Sequence, residues 1–105
     1  MQRTITLNEL QTLLAAGPSI TLLDVRRSDD REKEPAAIAN ARWLDPAAVE
    51  GWSNSLDTDS EIILYCARGG SVSNAVVDVL QARGLKARFI EGGLEAWKAN
   101  GGTTQ

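Results

Sequence analysis

The sequence predicts an α/β domain with a mainly parallel sheet of four or five strands and helices on both faces. Three observations carry this prediction. Segments with extended and helical patterning alternate along the whole chain, as layered α/β folds require. The run Glu61–Cys66 is almost entirely apolar, which suits a central strand covered on both sides. A helical stripe of Val72, Ala75, Val76, Val79 and Leu80 follows it at i, i+3, i+4, i+7 and i+8 spacing. The 105 residues suffice for one compact domain, expected over 1–105, and are too few for two.

The elements follow in order. Thr6 and Glu9 have the spacing of a capping box, so a helix starts there and presents Leu7, Leu10, Leu13 and Leu14 on one face. Gly17 and Pro18 stop it. Ile20–Val25 reads as a buried strand, and the charged stretch Arg26–Pro35 as helix or loop. A short strand is expected near Ala41–Trp43. Asp45 then caps a short helix with Pro46 at its first position. Trp52–Asp59 is polar and reads as a surface loop. After the Glu61–Cys66 strand, Ala67–Gly70 is a tight turn into the striped helix, which Gly84 ends. Lys86–Ile90 is a further strand. Gly92 and Gly93 turn the chain into a last helix carrying Leu94 and Trp97 and ending at Asn100–Gly101. Trp43, Trp52 and Trp97 are expected at the core or its edge.

Composition narrows the chemistry. A net charge of −3 without clustered Lys and Arg predicts neither a nucleic-acid partner nor an anionic membrane surface. The apolar run at Ile62–Cys66 is far below the ~20 residues of a spanning helix. The segment Met1–Thr6 lacks the apolar stretch of a signal peptide, so a cytoplasmic protein is expected. The single cysteine permits no internal disulfide. There is no histidine, which removes every Cys-His and Ser-His-Asp arrangement and the commonest metal ligand. No metal or cofactor is predicted.

Ligands of open α/β sheets bind at the carboxyl ends of the strands. Two strands end in chemically unusual residues, one at Asp24-Val25-Arg26 and the other at Cys66. Between Cys66 and the next helix, the loop can aim several backbone N–H groups at its own centre, and Gly69 and Gly70 let it curl. The helix start adds partial positive charge and Arg68 a full one. A cysteine in that setting is expected as a thiolate. The alternative is an inert cysteine filling a strand end. Asp24 and Arg26 are either a cap and a surface ion pair or supports for the loop; their place at a strand terminus favours the second.

The residues also carry a resemblance. Thr6-Leu7-Asn8-Glu9-Leu10, Leu22-Leu23-Asp24-Val25-Arg26, Ile38-Ala39-Asn40-Ala41, Tyr65-Cys66-Ala67-Arg68-Gly69-Gly70-Ser71 and Glu91-Gly92-Gly93-Leu94-Glu95-Ala96-Trp97 occur in the order and spacing of the rhodanese domain, which the chain resembles over nearly its whole length. The resemblance implies a sulfurtransferase. Cys66 matches the catalytic cysteine, which takes a sulfane sulfur from a donor such as thiosulfate, becomes a persulfide, and passes the sulfur to cyanide or a thiol. Ala67, Arg68, Gly69, Gly70, Ser71 and Val72 match the loop that cradles the persulfide, and Asp24 and Arg26 match a supporting strand-end pair. The implied partners are a small sulfur donor and a thiol acceptor, with an acceptor protein as a further candidate.

The chain departs from the family pattern at two places. Where many members read Gly-His-Ile-Pro-Gly-Ala, residues 36–41 read Ala-Ala-Ile-Ala-Asn-Ala. Where many active loops carry a late basic residue, Ser71 and Val72 stand, which implies weak thiosulfate binding and another physiological donor. Two other functions compete. A phosphatase or arsenate reductase needs an arginine six residues after the cysteine to clamp the oxyanion, and that position is Val72. A non-catalytic binding or sensor module is the other, since a fold alone does not fix function.

Overall fold

The computed structural model describes residues 2–16, 20–68 and 70–104. Among them, five strands form one wholly parallel sheet: β1 (Thr4–Ile5), β2 (Ile20–Asp24), β3 (Arg42–Trp43), β4 (Glu61–Tyr65) and β5 (Lys86–Ile90), in spatial order β1-β5-β4-β2-β3. The helices are α1 (Leu7–Ala15), α2 (Ser28–Lys33), α3 (Val49–Trp52), α4 (Ser71–Ala82) and α5 (Gly93–Ala99). Short 3-10 turns at Pro46–Ala48 and Ser53–Ser55 flank α3.

The sheet is buried on both faces because each central strand is apolar at successive positions. Leu23, Val25, Ile62 and Leu64 pack with Val76, Val77 and Leu80 of α4. Leu22, Ile63 and Tyr65 point the other way and pack with Leu10 of α1 and with Leu94 and Trp97 of α5. This period-2 alternation between two apolar layers explains why the strands read as continuous hydrophobic runs.

Register places the site. Asp24 lies opposite Tyr65, and the Val25 N–H donates to the Tyr65 carbonyl at 2.9 Å. The carboxyl ends of β2 and β4 are therefore level. The strand that follows β2 in sequence lies on one side of this pair and the strand that follows β4 lies on the other. The crevice between β2 and β4 is thus the topological switch point, where such sheets bind ligands.

Several details differ from the sequence reading. The two-residue β1 is the fifth strand; it is too short to show a period. The Thr6–Glu9 capping box forms, but Leu14 is 42% exposed, because Leu7, Leu10 and Leu13 already occupy the face that the sheet covers. Trp52 closes α3 and Ser53–Ser55 is helical, with Ser53 buried, so the expected loop over 52–59 is partly ordered structure. The stripe on α4 is rotated: Ser73, Val76, Val77 and Leu80 are buried, Val72 and Val79 are half-buried, and Ala75 is exposed. The expected stop at Gly17 and Pro18 lies outside the described residues.

Candidate functional site

Cys66 sits one residue past β4, at the switch point, and is 6% exposed. Two contacts pin the chain there. The Cys66 carbonyl accepts from the Leu94 N–H at 2.9 Å, and the Ala67 carbonyl accepts from the Glu95 N–H at 3.0 Å. The free amides at the start of α5 thus anchor the root of the cysteine loop. Gly92 makes this docking possible. It caps α5 at φ 77°, and a Cβ there would lie 2.5 Å from the Ala96 Cβ, so a side chain would meet both backbone strain and a clash.

The loop ends at Gly70, the N-cap of α4, which has no side chain to cap the helix. Among the described residues, no backbone carbonyl accepts from the N–H groups of Ala67, Arg68, Gly70 or Ser71. Unpaired amides and the positive end of a twelve-residue helix therefore surround the turn after Cys66, an arrangement suited to negative charge. Gly69 lies outside the described residues.

Arg68, the expected full positive charge of the loop, has an acidic neighbour. Its side chain is 85% exposed, and its Nε lies 3.2 Å from Glu95 Oε2 in the first turn of α5. Glu95 is the residue of this site that sequence reasoning missed. Its place after Gly92–Gly93 identified a first-turn acid, but only the docking of α5 turns it toward the loop.

Asp24 and Arg26 are a buried pair, which overturns the alternative of a surface ion pair. Arg26 Nη2 lies 2.8 Å from Asp24 Oδ2, and Nε donates to both carboxylate oxygens at 3.1 Å. The other Arg26 donors go to backbone carbonyls, Nη1 to Glu34 at 2.8 Å and Nη2 to Ala36 at 3.2 Å. Burial works against this charge, but the Asp24 hydrogen bonds and charge outweigh it and hold the guanidinium above its ordinary value. With its donors so occupied, Arg26 fixes the segment after α2. It also lines a cavity of about 280 Å³ with Ala67, Arg68, Glu95 and Lys98. Arg31 stacks 4.6 Å over Trp43, whose Nε1 donates to the Arg26 carbonyl at 2.9 Å.

The segment at 36–41 is held by its own backbone conformation and by Tyr65. Asn40 adopts φ 69°, the left-handed conformation that Asn tolerates better than most residues. Ile38 is buried, and its N–H donates to Tyr65 Oη at 3.2 Å. Burial, reinforced by the Asp24 charge, holds the Tyr65 phenol well above its ordinary value.

A groove of about 680 Å³ lies between α4 and the 45–49 segment. Its apolar wall is Pro46, Ala47 and Val49 opposite Val72, Ala75 and Val79, and its lining includes Ser71 and Val72 in the first turn of α4. No helix among the described residues is long and apolar enough to cross a membrane.

Comparison with known proteins agrees with this geometry. The family model described as a rhodanese-like domain matches residues 6–100. Thiosulfate sulfurtransferase GlpE of Coxiella burnetii is 37% identical over 82 residues, covering 77% of this chain and 74% of that protein. The crystal structure of a rhodanese-related protein from Thermoplasma volcanium superposes with a TM-score of 0.83 at 27% identity, covering 99% of this chain and 98% of that one. The solution structure of a rhodanese-like domain from Anabaena superposes with a TM-score of 0.80 at 31% identity, covering 100% of this chain and 80% of that one. The match of the family model over residues 6–100 and the 37% identity to GlpE show that the chain belongs to the rhodanese-like domain family.

Proposed function

We propose that this protein is a sulfurtransferase that carries a sulfane sulfur on Cys66 as a persulfide. The observation that carries the reading is the place of Cys66: it opens a loop whose described amides, at Ala67, Arg68, Gly70 and Ser71, have no backbone partner among the described residues, and which runs into α4, whose N-cap Gly70 has no side chain. The relation to a thiosulfate sulfurtransferase supports it.

In the first half-reaction the Cys66 thiolate attacks the sulfane sulfur of a donor such as thiosulfate. A new S–S bond forms on Cys66, the donor's S–S bond breaks, and its electron pair leaves with sulfite. In the second half-reaction an acceptor thiolate, or cyanide, attacks the outer sulfur, and Cys66 recovers the electron pair as thiolate. No net oxidant is needed, because the sulfur moves with its oxidation state unchanged. The amides of Ala67, Arg68, Gly70 and Ser71 and the start of α4 stabilise the negative charge of the resting and loaded cysteine. Gly70, Ser71 and Val72 shape the cradle, Arg68 meets an anionic donor, and Asp24 and Arg26 keep the crevice open by holding the 34–36 backbone. The partners are a small sulfur donor and a thiol acceptor, and a lone reactive thiol suits a reducing cytoplasm.

The test is incubation with thiosulfate followed by intact mass measurement. Wild type gains one sulfur atom, which dithiothreitol or cyanide removes. Cys66→Ser keeps the fold and gains none, because the hydroxyl forms no persulfide. Transfer by the serine variant at near wild-type rate, or hydrolysis of an aryl phosphate in place of sulfur loading, sinks the reading.

A further inference from the structure

We infer that the groove between α4 and the 45–49 segment binds the apolar body of the sulfur acceptor, so that the thiol served by Cys66 is a small organic thiol with an aliphatic or aromatic group. This rests on the persulfide reading of Cys66 and extends it to the substrate class.

Three observations carry the inference. The first is the apolar face of α4. Ala75 is exposed and Val72 and Val79 are only half-buried, although all three belong to the helix's hydrophobic stripe. The fold covers Val76, Val77 and Leu80 and leaves this edge of the stripe open opposite Pro46, Ala47 and Val49. The second is place and size. One end of the groove lies at Ser71 and Val72, the first residues of α4 after the cysteine loop, and about 680 Å³ falls within the range of small-molecule sites, roughly 300–1,000 Å³. The third is charge. Arg68, the one full positive charge within the cysteine loop, is engaged by Glu95. Arg68 lines the neighbouring cavity rather than this groove, whose charged lining residues are Arg27, Asp29 and Asp45, a net charge of −1. The groove therefore offers a dianion little and an uncharged apolar group a good deal.

The transfer step is balanced as written for any thiol. The acceptor thiolate forms a bond to the outer sulfur of the Cys66 persulfide, the Cys66 S–S bond breaks, and its electron pair stays on Cys66. The product is the acceptor's own persulfide.

The test loads Cys66 with thiosulfate, removes the excess, and follows unloading by intact mass with two thiols of similar acidity, benzyl mercaptan and 2-mercaptoethanol. The expected second-order rate is roughly tenfold higher for benzyl mercaptan, the discrimination that a modest apolar contact supplies. Ala75→Glu places a charge in the groove at an exposed helical position where Glu is well tolerated. It should lower the benzyl mercaptan rate several-fold and leave thiosulfate loading and the 2-mercaptoethanol rate unchanged. Equal rates for the two thiols in wild type, or an equal fall for both in the variant, overturns the inference. A second measurement does not depend on turnover. Benzyl methyl sulfide, which cannot accept sulfur, should shift the NMR methyl signals of Val72 and Val79 in wild type and not in Ala75→Glu. If Cys66 fails to load, the transferase reading falls, and the methyl shifts still decide whether the groove takes an apolar sulfur compound; their absence overturns the groove.

Discussion

Asp24 and Arg26, two residues apart at the end of β2, face each other with Nη2 2.8 Å from Oδ2, each side chain no more than 2% exposed. Their contact spans more than themselves, because the same guanidinium holds the carbonyls of Glu34 and Ala36. Removing Arg26 leaves the buried Asp24 carboxylate with only the partly exposed Arg31, whose Nε is 4.0 Å away, and breaking a buried pair typically costs about 3–5 kcal/mol. Arg26→Met is therefore expected to lose stability on that scale in urea unfolding. The double variant Asp24→Leu/Arg26→Met should recover part of the loss, since both charges are then gone. A single variant within about 1 kcal/mol of wild type, the scale of an exposed ion pair, contradicts the structural role assigned here.

Arg68 and Glu95 make the opposite kind of pair, an exposed one beside the reactive cysteine. Thiosulfate is a dianion that must approach a thiolate, and a nearby guanidinium offsets that repulsion. Arg68→Ala should slow loading from thiosulfate more than unloading to a neutral thiol. Glu95→Gln should act the other way and speed loading roughly twofold to fivefold, the weight of an exposed ion pair, with the gain shrinking as salt rises. Stopped-flow measurement of the two half-reactions separates these effects. Equal change in both half-reactions would remove Arg68 from donor binding.

Asn40 holds a left-handed turn at φ 69°. Asn40→Gly should leave stability unchanged or slightly improved. Asn40→Ala should lower it by about 1–2 kcal/mol, the penalty for a Cβ in that conformation. Thermal unfolding of the two variants side by side is the check, and an alanine variant as stable as the glycine variant contradicts the assignment.

Two carboxylates predict an acid sensitivity. The Thr6 backbone N–H and the Thr6 hydroxyl hold Glu9 below the ordinary glutamate range. Glu34 is held low by its hydrogen bond to Lys98, then by the Ala36 N–H. A carboxyl with a depressed folded value stabilises the fold fully above its unfolded value and loses that contribution as pH falls through the folded one. Stability should therefore decline below the ordinary glutamate range, and Glu9→Gln should weaken that decline. NMR titration of the two carboxyl carbons reports the midpoints directly; values at or above the ordinary range refute this account.

The alternation of strands and helices, the burial of β4, the capping box at Thr6–Glu9 and the cysteine loop were all legible in the sequence. Each rests on a local rule: period of hydrophobicity, capping geometry, or the turn chemistry of adjacent residues. These also placed Cys66 at a strand end before any contact was known. Other features depended on segments far apart in the chain. Thr4–Ile5 has strand character only because β5 offers it an open edge. The α4 stripe was correct in period, yet which part of it is covered depends on where the sheet and α3 lie, and that left Val72, Ala75 and Val79 to line a groove. Asp24 and Arg26 could be read locally as a cap and a surface pair; their burial comes from the 34–36 segment folding over them. Glu95 is an ordinary first-turn acid until α5 docks on the Cys66 and Ala67 carbonyls and brings it to Arg68. Local sequence sets which conformations a segment prefers, whereas side chains distant in sequence meet only after packing has chosen the relative placement of those segments, so the reactive atom was written in the sequence and its surroundings were decided by the tertiary structure.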